Sequence, residues 1–164
     1  MRFPLHGCLM LPQHSRLSDL WATPPSFFKL LNDRFDFSLD AAAGASNAKC
    51  DDYYSANDDG LVQPWRTWTW CNPPYSNILG WYKKAHLEAL KGNSSVVLTF
   101  ARTDTKAFHE HVKFASEVIF VRGRLKFIDP RTGSLAQNAP APSMVVVFEA
   151  GKLGNPIFST MQRS

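Results

Sequence analysis

Asn72-Pro73-Pro74-Tyr75 carries the most chemistry per residue in this 164-residue chain. Paired prolines pin the backbone and end a strand, because neither can donate to a ladder. A turn of this kind can point backbone carbonyls and the Asn72 amide oxygen at one spot. These are acceptors, suited to gripping an –NH2 group through its two hydrogens, while Tyr75 offers a flat face to a planar ring. An amine held in this way can turn its nitrogen lone pair toward an electrophile.

Other reactive side chains point less clearly. His109-Glu110-His111 has the composition of a metal fragment, but i, i+2 spacing on a helix turns the two imidazoles apart. No metal is expected. Cys8, Cys50 and Cys71 are odd in number and lack paired spacing, which argues against a disulfide framework or a zinc ribbon and for a reducing cytoplasm. Cys71 is expected to pack, and Trp65, Trp68 and Trp70 to serve as core or pocket wall. His86 lies on a helix face and needs no role, and Lys83 and Lys84 read as the wet side of a helix.

The elements that must position these residues follow from periodicity. Residues 1–20 lack it and read as a flexible arm. Thr23-Pro24-Pro25 opens a helix, with Thr23 as N-cap and Phe27, Leu30, Leu31 and Phe35 as its buried stripe. Residues 35–39 alternate as a strand ending at Asp40-Ala41-Ala42, and Thr67–Trp70 alternates into the proline pair. A helix over 77–91 follows, then a buried parallel strand over 95–101. Thr103 or Asp104 can cap the helix holding Phe108 and Val112, and strands are expected at 118–121, 125–128 and 144–148. Strands alternating with helices predict an α/β three-layer domain over 21–150 with a mostly parallel sheet, followed by a tail over 151–164. The Pro- and Ala-rich loop 129–143 is long for so small a domain and is expected to be mobile or functional.

Five segments occur in fixed order: Trp21-Ala22-Thr23-Pro24, Phe37-Ser38-Leu39-Asp40-Ala41-Ala42, Trp70–Ser76, Ala101-Arg102-Thr103-Asp104-Thr105 and Gly123-Arg124-Leu125-Lys126-Phe127. The tetrapeptide resembles the N/D-P-P-Y signature of amino-group methyltransferases. The whole series, across about residues 20–148, resembles the small phage-type DNA N6-adenine methyltransferases (Dam-like). The resemblance implies an abridged Rossmann-like fold using S-adenosylmethionine. Trp21, Thr23 and Pro24 would lie beside the cofactor, Asp40, Ala41 and Ala42 would form the first-strand acidic motif that contacts it, and Asn72, Pro73, Pro74 and Tyr75 would be the catalytic loop. A carboxylate at Asp40 can accept from an amine or ribose hydroxyl and offset a sulfonium charge.

Direct transfer needs no covalent intermediate, metal or catalytic thiol, because a methylsulfonium is already electrophilic. A base inside a duplex cannot reach such a pocket, so the implied target is a flipped adenine in DNA. Asn at the first motif position favours adenine over cytosine N4. An N4-cytosine or glutamine-amide methyltransferase, or a non-catalytic nucleic-acid-binding relative, are the rival readings. The implied setting is phage or prophage, with DNA modification against restriction as a role.

The chain departs from the broader pattern in having no G-x-G-x-x-G and only 31 residues between Asp40 and Asn72. Asp58 or Asp59 are the candidates left for the nucleoside end of the cofactor. Charge is uneven: residues 1–80 hold 6 Lys/Arg against 8 Asp/Glu, and residues 81–164 hold 12 against 6. Arg102, Arg122, Arg124, Lys126 and Arg131 are the expected phosphate contacts, with Arg122, Arg124 and Lys126 alternating along one strand. No apolar run approaches the roughly 20 residues that span a bilayer. Residues 1–14 lack a signal-peptide cleavage pattern, so a cytoplasmic monomer or homodimer is expected.

Overall fold

The computed structural model describes residues 21–129, 131–135 and 139–163, and the expected N-terminal arm, with Cys8, lies outside the described residues. Helix α1 runs Pro25–Phe35 and buries Phe27, Leu31 and Phe35, one per turn along a single stripe. Pro24, not Thr23, takes its cap position, and no side chain caps it. The helix stops at Asp36, whose φ of 53° lies in the left-handed region. The alternating stretch over 35–39 therefore yields only a short strand, β1 (Leu39–Asp40).

The remaining elements among the described residues are β2 (Thr69–Cys71), a 3-10 turn (Tyr75–Asn77), α2 (Ile78–Leu90), β3 (Ser95–Phe100), α3 (Lys106–His111), a second 3-10 turn (Val112–Phe114), β4 (Glu117–Arg122), β5 (Ser143–Phe148) and β6 (Ile157–Gln162). Thr105 caps α3 by accepting from the Phe108 N–H, in place of Thr103 or Asp104. No regular strand forms over 125–128. Ile128 there makes isolated bridges to Ala22 and Leu135.

One six-stranded sheet has the order β1-β2-β3-β5-β4-β6. β1, β2 and β3 pair in parallel, as do β4 and β6, but β5 is antiparallel to both of its neighbours. The sheet is thus mixed, not the mostly parallel one expected. The run Ser143–Phe148 is buried along its whole length, and such a run reads the same in either direction. The segment 151–164, read as a tail, supplies β6, which pairs with β4 from Glu117↔Ile157 to Arg122↔Gln162.

Two apolar clusters sandwich the sheet. Phe27, Leu31 and Phe35 of α1 pack with Trp70, Val96, Leu98, Val145 and Val147 on one face. Trp81, Tyr82, Ala85 and Ala89 of α2, with Ala107 of α3, pack with Cys71, Val97, Met144, Val146 and Phe148 on the other. Alternate residues of each strand feed opposite layers, and this fixes the register. Among the described residues, no helix is long and apolar enough to cross a membrane.

Candidate active site at the carboxyl edge of the sheet

Because β1, β2 and β3 are parallel, their carboxyl ends lie along one edge. Asp40–Ala42, Asn72–Tyr75 and Ala101–Arg102 therefore emerge side by side, where open α/β sheets bind ligands. β4 ends and β5 begins at the same edge, since β4 pairs antiparallel with β5 and β5 antiparallel with β3. Trp21–Thr23 joins them through Ala22, whose N–H donates to the Ile128 carbonyl at 2.8 Å and whose carbonyl accepts from the Ile128 N–H at 3.0 Å.

Asn72 sits where β2 gives way to the proline pair. Its Nδ2 donates to the Trp21 carbonyl at 2.8 Å. The Tyr75 hydroxyl donates to its Oδ1 at 3.0 Å. Pro73 is buried, whereas Asn72, Pro74 and Tyr75 are half-buried, so the loop is rigid beneath and reachable above. The Tyr75 ring packs on Phe100 at 4.3 Å between centroids. Trp21 stacks on Phe127 at 5.4 Å and meets Phe100 edge-on at 6.5 Å. Phe100 and Phe127, absent from the expected site, are thus the floor on which Trp21 rests. The alternating Leu125 and Phe127, both buried, were the sequence signal for that floor.

Asp40 is 2% exposed. Its Oδ1 accepts from the Ala42 N–H at 3.3 Å and its Oδ2 from the Lys49 N–H at 3.0 Å. Burial pushes its pKa up to about 6, and the Lys49 and Ala42 N–H bonds offset only part of that. Burial likewise lowers the pKa of the nearby Lys49 ammonium, with Asp40 pulling the other way. Ala41 is buried and Ala42 half-buried. Gly60 leans on this turn so closely that a Cβ there would lie 2.0 Å from the Ala41 carbonyl oxygen, so no other residue fits without a backbone shift. Thr23 is 2% exposed, and its Oγ1 is buried with no hydrogen-bond partner among the described residues. Pro24 is half-buried beside it.

Asp58 and Asp59 spend their carboxylates on their own turn: Asp58 Oδ2 accepts from the Ser55 N–H and hydroxyl, and Asp59 Oδ1 from the Leu61 N–H. Cys71 is fully buried, and burial drives its thiol pKa well up, so it stays protonated and is no nucleophile. Among the described residues no group of three or more His, Cys, Asp or Glu is placed to hold a metal.

The basic residues divide. Arg102, Arg122 and Lys126 are exposed. Arg122 closes β4, but Arg124 and Lys126 lie past Gly123, whose φ of 79° breaks the strand, so the three do not share one strand as expected. The chain stays extended enough that Lys126 is exposed between buried Leu125 and Phe127. Arg124 turns inward and donates to the Ala139 carbonyl at 3.1 Å, while its own carbonyl accepts from Arg163 at 3.0 Å. Arg131 forms an ion pair with Asp129 at 2.6 Å.

A family described as "DNA N-6-adenine-methyltransferase (Dam)" matches residues 12–164. A DNA N-6-adenine-methyltransferase of Haemophilus phage HP1 is 32% identical over 136 residues, 80% of this chain and 79% of that one. A protein of the same name from Escherichia phage T1 is 30% identical over 155 residues, 83% of this chain and 65% of that one.

Proposed function

This chain belongs to the DNA N-6-adenine-methyltransferase (Dam) family, and from that premise we propose how its carboxyl-edge site works as an adenine-specific DNA methyltransferase. The observation that carries the reading is the Asn72 amide, held between the Tyr75 hydroxyl and the Trp21 carbonyl beside buried Asp40.

The chain's own residues fit S-adenosylmethionine. Asp40 is a buried carboxylate with two N–H partners and, among the described residues, no ion pair, so a bound cation would relieve the cost of its charge. Thr23 Oγ1 is a buried polar atom with no partner among the described residues. Asp40, Ala41 and Ala42 would hold the cofactor together with Trp21, Thr23 and Pro24. When bound, the cofactor supplies an electrophilic methyl group. Asp58 and Asp59 are the candidates for its nucleoside end once their turn opens.

Asn72 Oδ1 has a second lone pair beyond the one Tyr75 uses, and it accepts from the adenine amine. The Pro73 carbonyl accepts from the same amine. Together they orient the nitrogen lone pair and stabilise the positive charge that develops there. The Tyr75 ring stacks on a base flipped out of the duplex. Arg102, Arg122 and Lys126, exposed on the same edge, meet phosphates, and Arg131 joins them by leaving Asp129. Arg124 braces the loop instead of touching DNA. The protein works in the cytoplasm of a phage-infected or lysogenic bacterium, modifying DNA against restriction.

Methyl transfer from labelled S-adenosylmethionine to unmethylated DNA, with the product nucleoside identified, tests this reading. Label is expected in N6-methyladenine, falling about hundredfold or more in Asn72→Ala and Tyr75→Ala. Label in N4-methylcytosine would overturn the base, and label in protein amides but not in DNA would overturn the substrate.

A further inference from the structure

Asn72 makes two hydrogen bonds of opposite polarity, donating to the Trp21 carbonyl and accepting from the Tyr75 hydroxyl. Turning the amide over would set its oxygen 2.8 Å from the Trp21 carbonyl oxygen, two acceptors face to face. The donor end is therefore pinned to Trp21, which leaves the acceptor end for an incoming amine. We propose that the Trp21 main-chain carbonyl is a positioning group that selects asparagine at 72 and fixes its orientation, and that Phe127 holds it in place. This inference rests on the methyltransferase reading of the same site.

Three contacts keep the carbonyl where it is. The Trp21 indole stacks on Phe127 at 5.4 Å with 22° between the planes. Phe127 is fully buried, so the stack stands on a ring that is itself fixed by packing. The next residue, Ala22, exchanges two backbone hydrogen bonds with Ile128, the neighbour of Phe127. Phe127 and Ile128 thus hold one dipeptide from the side-chain and backbone directions, and that dipeptide holds Asn72.

One consequence separates this chain from the general motif. The N/D-P-P-Y signature allows aspartate at its first position, yet a carboxylate at 72 has no N–H to give Trp21 and places two like-polarity oxygens together. Asn72→Asp should therefore fail here, and fail least at low pH, where a protonated carboxyl regains a donor.

The test compares wild type with Phe127→Leu, Asn72→Asp and, as a control for core loss, Phe148→Leu. Phe148 is equally buried but belongs to the cluster on the other face of the sheet. In steady-state methyl transfer to DNA, Phe127→Leu is expected to lower kcat about tenfold or more, since small misplacements of reacting groups cost that much. Phe148→Leu is expected to stay within about twofold of wild-type kcat in the folded protein. Asn72→Asp is expected to be nearly inactive at pH 8 and to recover relative to wild type as pH falls.

A second readout needs no turnover. In 1H–15N spectra the Asn72 side-chain amide, identified by its loss in Asn72→Asp, should show one downfield, exchange-protected proton in wild type and lose that protection in Phe127→Leu. Equal kcat losses in Phe127→Leu and Phe148→Leu, wild-type kcat in Phe127→Leu, or an Asn72 amide unchanged by Phe127→Leu would each overturn the proposal. If wild type transfers no methyl to DNA, the proposed reaction fails, and the amide spectra still decide the positioning contact.

Discussion

Asp40 and Glu88 are carboxylates of nearly equal burial, 2% and 1% exposed, at opposite ends of the sheet. At the amino end, Glu88 accepts from Lys84 at 2.8 Å, Lys91 at 3.0 Å and Asn93 at 3.0 Å. Burial alone would push its pKa up, but these three donors outweigh burial and hold it at about 2. At the carboxyl end, Asp40 has two backbone N–H groups and no ion pair among the described residues, and burial pushes its pKa up to about 6. Glu88 is satisfied within the chain and ties the end of α2 to the turn that precedes β3. Asp40 is left partly uncompensated, in company with the Thr23 hydroxyl, which has no partner among the described residues. On the proposed reading the two ends differ as scaffold and site do: groups that bind a ligand must hold interactions in reserve, and that reserve costs stability.

Truncation should break the symmetry most strongly. Glu88→Ala strands the nearly buried Lys84 ammonium and should lower unfolding free energy by about 3 kcal/mol. Asp40→Ala removes an ill-compensated charge along with two hydrogen bonds and should cost about 1 kcal/mol or less. Denaturant melts of both variants at pH 7.5 check the contrast, and equal losses would erase it.

The pH dependence sharpens the same contrast with opposite signs. The folded pKa of Asp40, about 6, lies above its unfolded value of 3.8, so the folded state binds more protons between the two. Its contribution to stability is fully present below about pH 4 and is lost as pH rises through 6, by roughly 2–3 kcal/mol. The Glu88 contribution runs the other way, present above 4.5 and lost as pH falls through about 2. Unfolding of wild type minus Asp40→Ala, measured from pH 4 to 8, should therefore fall as pH rises, whereas wild type minus Glu88→Ala should rise from pH 2 to 5.

The smallest effect belongs to Thr23. Thr23→Val removes a buried hydroxyl that has no partner among the described residues. It should raise stability by about 1 kcal/mol while weakening S-adenosylmethionine binding, as read by a melt and a titration on one sample. A loss of stability would mean that the hydroxyl is already satisfied.

Much of this was legible in the sequence. The proline pair and the apolar runs at 95–101 and 144–148 located the turn that ends β2 and the central strands, because backbone restriction and burial are local properties. The reversed direction of β5 was not legible, since a strand buried on both faces carries no mark of polarity. β6 was missed because Ile157 and Phe158 are adjacent, both largely exposed, and lack the alternation of a half-buried strand. Thr23 reads as a cap from its place before two prolines, yet the structure buries it. The Asn72 contact with Trp21 spans 51 residues and exists only because β2 and the 21–23 segment converge on one edge. For the basic residues, composition located the positive half but could not tell Arg124, which turns inward, from Lys126, which faces solvent.

If the carboxyl edge keeps Asp40 uncompensated in order to receive the cofactor, as proposed, loss of that carboxylate must weaken binding. Calorimetric titration of S-adenosylmethionine into wild type, Asp40→Ala and Glu88→Ala at pH 7.5 tests it most directly. Saturable binding by wild type and Glu88→Ala, with affinity reduced about hundredfold in Asp40→Ala, the worth of roughly two pKa units of charge interaction, is the predicted result. Wild-type affinity in folded Asp40→Ala, or no binding by wild type, would contradict it.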